Sequence, residues 1–181
     1  MLLQASQSLL LIVDIQSKLA PYIHQASHVI NTSKWLLEVA RELGVPVRAT
    51  EQYPQGIGGT VPPLADLLEK GELLQKMHFS ALKEESIKNH LAELNRQQII
   101  LVGTEAHVCC FQTAAELLEQ GYEVFMVEEG LGSRNPRDKE LALARLKQSG
   151  AKIVSKEMVA FEWLEKAGTD TFRKVSKGWI K

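Results

Sequence analysis

Cysteine is scarce. The 181 residues contain two, Cys109 and Cys110, and they are neighbours. Adjacent thiols cannot build a long-range disulfide framework, and a bridge between neighbours is strained. That fits a reducing compartment, and a cytoplasmic location is expected. Neither sign of charge is in excess. Lys and Arg number 21 against 22 Asp and Glu, for a net charge of −1. The scattered bases form no stripe, so nucleic acid is a poor default partner. Leu9-Leu10-Leu11-Ile12-Val13 is too short to span a membrane, and no membrane partner is expected. The first seven residues lack a basic region ahead of a long apolar core, so no signal peptide is expected. There are five histidines, His24, His28, His78, His90 and His107. No pair has the short spacing of a zinc motif with a third partner. No catalytic metal and no cofactor are expected.

What is present is an alternation of strand and helix signals. The length suits one α/β domain over 1–181, with a helical tail from about 156. Residues 9–13 form a continuous apolar run followed at once by Asp14, which reads as a first, central strand. Apolar residues from Ser27 to Leu43 recur at helical spacing, and Gly44 ends the run. Val45 to Ala49 is a second strand, and Thr50 to Thr60 a loop rich in Gly and Pro. Leu73 to Lys76 is a short third strand. A helix spans Glu84 to Leu94, and Gln98 to Val102 is a fourth, β-branched strand. A helix then carries Phe111, Ala114, Ala115, Leu117 and Leu118. Gly121 to Val127 is a fifth strand, and Glu128 to Asn135 a loop. Pro136 opens a helix to about Ser149, and Lys152 to Ser155 is the last strand. Such alternation implies a mainly parallel sheet with helices on both faces.

Cys109 falls where the fourth strand hands over to a helix. Free N–H groups at a helix start favour negative charge and draw a cysteine toward thiolate. They can also hold an oxyanion. Taken alone, each candidate has a bland reading: Cys109 as a core thiol, Asp14 as a cap, Lys76 as a solvated charge. Their joint placement at carboxyl ends of strands, where ligands bind in such sheets, makes them catalytic candidates. Cys110, on the first helical turn, reads as core.

Gly103 to Ala114 resembles the nucleophile segment of the isochorismatase-like cysteine hydrolases: a strand, Gly, a few residues, Cys, then a helix with Thr-Ala. Asp14-Ile15-Gln16 resembles that superfamily's Asp-Met-Gln. Lys76 with Phe79-Ser80-Ala81 resembles its Lys…Phe-Ser-Ala, and Ser133-Arg134 a Ser-Arg pair common there. Thr50 to Gly56 most resembles the isochorismatase-domain-containing branch. The resemblance runs from Leu9 to about Ile153. It implies a three-layer, Rossmann-like sheet in the order 3-2-1-4-5-6, which sets Asp14 beside Cys109. Lys76, two strand spacings away at about 9–10 Å, has the length to reach back. The implied chemistry is hydrolysis of a small amide, carbamoyl or related carbonyl compound through a covalent acyl-enzyme. Asp14 would be the general acid/base, Cys109 the nucleophile and Lys76 the charge holder.

The resemblance also implies an oxyanion hole of backbone amides at Glu105, Ala106 and Cys109, with a cis bond between Glu105 and Ala106. Nicotinamidases carry a metal motif where this chain has Glu51-Gln52-Tyr53, which makes nicotinamide a poorer substrate. Isochorismatases proper have a small residue at the cysteine position, so Cys109 argues for acyl chemistry. Lys76 and the helix start are expected to bring the thiol pKa well below neutrality, against the opposing pull of Asp14. Pocket candidates are Gln16, Gln52, Tyr53, Phe79, His107 and Ser133. His107 reads equally as a second base or as a surface residue. The other class of function is a vestigial, oligomeric binding or scaffold protein of the same fold. The apolar residues Phe161, Trp163, Leu164, Phe172, Trp179 and Ile180 lack an obvious home in one domain; a homo-oligomer, at least a dimer, is expected, in which the tail or the helix after Cys109 meets a neighbour, the alternative being a tail folded back over its own sheet edge.

Overall fold

A computed structural model describes residues 2–180. Six strands form one all-parallel sheet in the order β3-β2-β1-β4-β5-β6. The strands are β1 (Ser8–Val13), β2 (Val47–Gln52), β3 (Leu73–Lys76), β4 (Gln98–Thr104), β5 (Glu123–Gly132) and β6 (Lys152–Val154). Strand β1 is central and buried at every position. Its side chains alternate between two cores, as a two-residue period requires. Leu10 and Ile12 pack under α1 (Ala26–Glu42). Leu9, Leu11 and Val13 pack on the other face with α4 (Glu85–Glu93) and α5 (Cys109–Glu119). A helix α6 (Pro136–Gln148) covers the same face through Ala142 and Leu146. Asn135 caps it through Arg137 N, and Pro136 supplies a first-turn residue that needs no N–H.

The expected α/β architecture and strand order are present. Boundaries differ in two places that matter. Strand β2 runs on through Glu51 and Gln52 before two short helical turns, α2 (Pro54–Ile57) and α3 (Pro62–Ala65). Strand β5 continues through Glu128–Gly132, a stretch with the composition of a loop. A register shift between Leu101 and Gly103 lets it extend along β4. Gly130 and Gly132 face Val102, Thr32, Ile23 and Val29 too closely for a side chain.

The C-terminal tail packs on its own domain. Helices α7 (Lys156–Leu164) and α8 (Asp170–Val175) fold back over the chain's own core beside α1. Trp163 is buried and donates from Nε1 to Ser8 Oγ at 2.8 Å. Trp179 Nε1 donates to Glu38 at 2.9 Å, while Trp35 Nε1 donates to the Trp179 carbonyl at 2.8 Å. Leu164 is buried as well, and Phe172 and Ile180 pack against the same core. Phe161 alone of the six apolar tail residues stands well exposed, with Met158 and Leu2 nearby. The indoles have partners at home because the face of α1 that β1 leaves free needs a cover.

Candidate active site

Asp14 leaves β1 with a positive φ of 51°, a conformation that a short polar side chain tolerates better than most. Its backbone is held on both sides. Asp14 N donates to Thr50 O at 3.1 Å, and Thr104 Oγ1 donates to Asp14 O at 2.6 Å. The carboxylate is buried, and Oδ1 accepts from Thr50 Oγ1 at 2.7 Å. One glycine is essential to this packing. Gly103, opposite Val13 in the ladder, has a φ of +143°, and a Cβ there would lie 2.1 Å from Val13 O.

Lys76 ends β3, opposite Gln52. Its side chain is wholly buried and crosses the sheet end to bring Nζ within 2.7 Å of Asp14 Oδ2. An ammonium has three protons. Here they are directed at Gln52 Oε1 (2.6 Å), Phe79 O (2.9 Å) and His78 O (3.2 Å). The contact with Asp14 is therefore ionic, and buried Oδ2 receives no aligned hydrogen bond. One carboxylate oxygen is held and the other is left open.

Cys109 is the first residue of α5, with 7% of its surface exposed. The charges of Asp14 and Lys76 both act on its thiol. Gln52 Oε1 is 4.0 Å from Sγ. The expected acidic thiol is not what this surrounding produces. Burial, then the Asp14 charge, push the Cys109 pKa up to about 12, and Lys76 offsets only part of that. Cys110 is fully buried, and burial raises its thiol well above the ordinary value too.

Two details of the expected oxyanion hole need correction. The cis peptide bond joins Thr104 to Glu105, one residue earlier than expected. The Ala106 N–H is already committed to Gly132 O at 2.8 Å, so it is not available to an oxyanion. Among the described residues, the N–H groups of Glu105 and Cys109 donate to no protein acceptor. The Glu105 carbonyl accepts from Val108 N and Cys110 N, and its carboxylate pairs with Arg134 at 2.7 Å. Those contacts fix the bend that leads into α5.

With this geometry in view, the family follows from one match. The model of the isochorismatase domain family covers residues 8–158. The chain belongs to the isochorismatase domain family. Isochorismatase domain-containing protein 2 of Danio rerio is 38% identical over 176 residues, covering 97% of this chain and 88% of that protein. A structure described as MAR1 ribonuclease from Caenorhabditis elegans superposes with a TM-score of 0.93 at 33% identity, covering 100% of this chain and 93% of that one. Two YcaC proteins share the fold. The Pseudomonas aeruginosa protein, solved with hexane-2,5-diol and covalent acrylamide, gives a TM-score of 0.91 at 23% identity over 99% of this chain and 92% of that one. The Escherichia coli protein, described as an octameric hydrolase of unknown specificity, gives 0.89 at 22% over 99% and 91%.

The remaining candidates of this isochorismatase domain divide by position. Gln16 is wholly buried, and both ends of its amide bind backbone, so it is a clamp rather than a pocket wall. Gln52 reaches the site itself. Tyr53 and Phe79 are about half exposed. His107 Nδ1 is 2.9 Å from the Ser133 hydroxyl, and its Nε2 is 3.9 Å from Asp138. Sequence reasoning missed Thr50, which orients the carboxylate. Its only signal is a β-branched hydroxyl residue on the strand beside the aspartate. Among the described residues, no group of three His, Cys, Asp or Glu side chains is arranged to hold a metal ion. None of the helices described is long and apolar enough to cross a membrane.

Proposed function

We propose that this isochorismatase domain is a metal-independent cysteine hydrolase of small amide, carbamoyl or related carbonyl compounds. Cys109 is the nucleophile, Asp14 the general acid/base, and Lys76 the fixed positive charge. One observation carries the reading: Asp14, the carboxylate whose charge acts on the thiol, keeps a buried Oδ2 that accepts no hydrogen bond, an open seat for one proton. A thiol this reluctant to ionise into water gives its proton to a neighbour instead. The proton passes from Sγ to Asp14 Oδ2 as an S–C bond forms at the substrate carbonyl. The oxyanion takes the free N–H groups of Glu105 and Cys109. Collapse breaks the C–N bond, and Asp14 returns the proton to the leaving amine. Water, deprotonated by Asp14, then cleaves the thioester to the acid and restores the thiol. Lys76 faces the cluster as negative charge moves from Asp14 through sulfur to the substrate oxygen.

The test is denaturing mass spectrometry after brief exposure to a panel of small amides. One acyl adduct per chain is expected, lost in Cys109→Ala and kept in Cys110→Ala. A panel that labels neither cysteine, or labels Cys109→Ala equally, removes the reading. The name of the Caenorhabditis elegans structure carries a second reading, RNA cleavage. An RNA arm in the same assay decides it: cleavage that depends on Cys109 replaces the amide reading. A homo-oligomer is part of the proposal, in keeping with the octamer named for the Escherichia coli protein, as is a reducing, cytoplasmic setting for the two free thiols.

A further inference from the structure

Four oxygens surround the Lys76 ammonium, and it has three protons to give. Asp14 Oδ2, at 2.7 Å, is nearer than two of the three that receive them. Two recipients are backbone carbonyls in the turn after β3. The third, Gln52 Oε1, is the one side chain that decides where the remaining proton points. Gln52 is held to this task from both directions. Its Nε2 donates to Met77 O at 2.7 Å, which turns Oε1 inward. Its backbone is gripped by Gln16, whose Oε1 accepts from Gln52 N at 2.7 Å and whose Nε2 donates to Gln52 O at 2.9 Å. The same Nε2 also reaches Gly58 O at 2.6 Å, tying in the loop that closes over the strand end.

We infer that Gln52 is a positioning residue: by drawing one ammonium proton to itself, it holds Lys76 in ionic contact with Asp14 without a directed hydrogen bond, and so keeps Oδ2 free for the thiol proton. The inference rests on the reading of Cys109 as nucleophile. A second effect follows from the 4.0 Å separation between Oε1 and Sγ. The negative end of the amide dipole faces the sulfur and disfavours thiolate until a substrate displaces that balance.

Two substitutions separate this role from simple structural support. Gln52→Leu removes the acceptor and the dipole, so the freed ammonium proton turns to Asp14 or to the sulfur. The thiol then ionises more readily while the proton seat is filled. Gln52→Glu keeps an acceptor for Lys76 and sets a negative charge near the sulfur, so the thiol ionises less readily. The measurement is the rate of iodoacetamide alkylation of Cys109 in a Cys110→Ala background, followed by intact mass. At about pH 9, where one pKa unit is a factor of about ten in thiolate, Gln52→Leu is expected to react about ten-fold faster than the parent and Gln52→Glu slower. Circular dichroism checks the fold of each, and Gln52→Met is a second neutral variant should leucine disturb it. Unchanged rates, or shifts in the same direction for the neutral and acidic variants, overturn the inference, since loosened packing moves both alike. The amide panel is run beside it. Adducts on native Cys109 without opposed shifts sink the Gln52 role alone. Opposed shifts without adducts sink the hydrolase reading alone.

Discussion

Replacing Asp14 by Asn should make the Cys109 thiol more acidic and the protein a worse catalyst at once. Asn keeps the size, tolerates the positive φ that Asp14 adopts, and can still accept from Thr50 Oγ1. What it loses is one negative charge beside the sulfur. Two unit charges about 4 Å apart, at an effective dielectric of about 20, interact by about 4 kcal/mol. That is about 3 pKa units. Native Cys109 is pushed up to about 12 by burial and this carboxylate. In Asp14→Asn, burial remains and Lys76 acts unopposed, so the midpoint should fall toward about 9, the ordinary thiol range. Thiolate ultraviolet absorbance reads it, as the difference between Asp14→Asn and Asp14→Asn/Cys109→Ala. Alkylation by iodoacetamide, which needs no base, should speed up accordingly. Acylation by amides should fall by about 100-fold or more, since general-base assistance is typically worth 10²–10⁴. A thiol midpoint that stays or rises refutes the electrostatic account. A faster amide reaction in this variant refutes Asp14 as base.

Other perturbations test the same frame. Lys76→Met leaves Asp14 buried without its countercharge; it should raise the thiol further and cost about 3–5 kcal/mol in chemical denaturation, and a neutral effect on both counts would clear Lys76 of its role. Cys109 is protonated more tightly when folded than when unfolded, so its contribution to stability is full below about pH 9 and is lost as pH rises from there through about 12. Native protein should therefore lose stability relative to Cys109→Ala by up to about 1.4 kcal/mol per pH unit across that window; parallel curves would contradict the raised pKa. Trp163→Ala removes a buried indole and leaves Ser8 Oγ without its donor. A loss of about 3–5 kcal/mol is expected, and a loss under about 1 kcal/mol would show that the tail is not part of the core.

Much of the architecture is legible in the sequence because it depends on local pattern. A short, unbroken Leu-Leu-Leu-Ile-Val run suits a strand buried on both faces, and the Gly and Pro punctuation after it marks the helices. What escapes is structure set by long-range register. Glu128 and Glu129 with two glycines have the composition of a loop. The strand runs on through them because Leu131 and Gly132 pair with the end of β4, and Val102 and Ile23 leave room only for glycine at 130 and 132. The tail misleads for a related reason. Its tryptophans look surplus until α1 is known to need covering, and the hydrogen bonds to Ser8 and Glu38 have no sequence signature.

At the site, the difference between composition and geometry is sharper. The pattern brings Asp14 and Cys109 to adjoining strand ends with Lys76 two strands away, and side-chain reach closes that gap to 2.7 Å. Yet a list of one acid, one base and one thiol leaves the resting proton undetermined. Counting charges near a helix start favours thiolate; the burial of all three groups reverses that. A neutral thiol beside a carboxylate and an ammonium carries the same total charge as a thiolate beside a carboxylic acid and that ammonium. Moving the proton inside the cluster therefore adds no net charge to a poorly hydrated space, whereas releasing it to water leaves an extra negative charge behind. The expensive route is the one that the raised Cys109 pKa reports. The internal route that the proposed mechanism uses needs an open Oδ2, and Lys76 gives its three protons elsewhere. That allotment depends on Gln52 and on two carbonyls in a turn. It is a property of directions at one nitrogen, which residue types and spacing do not encode.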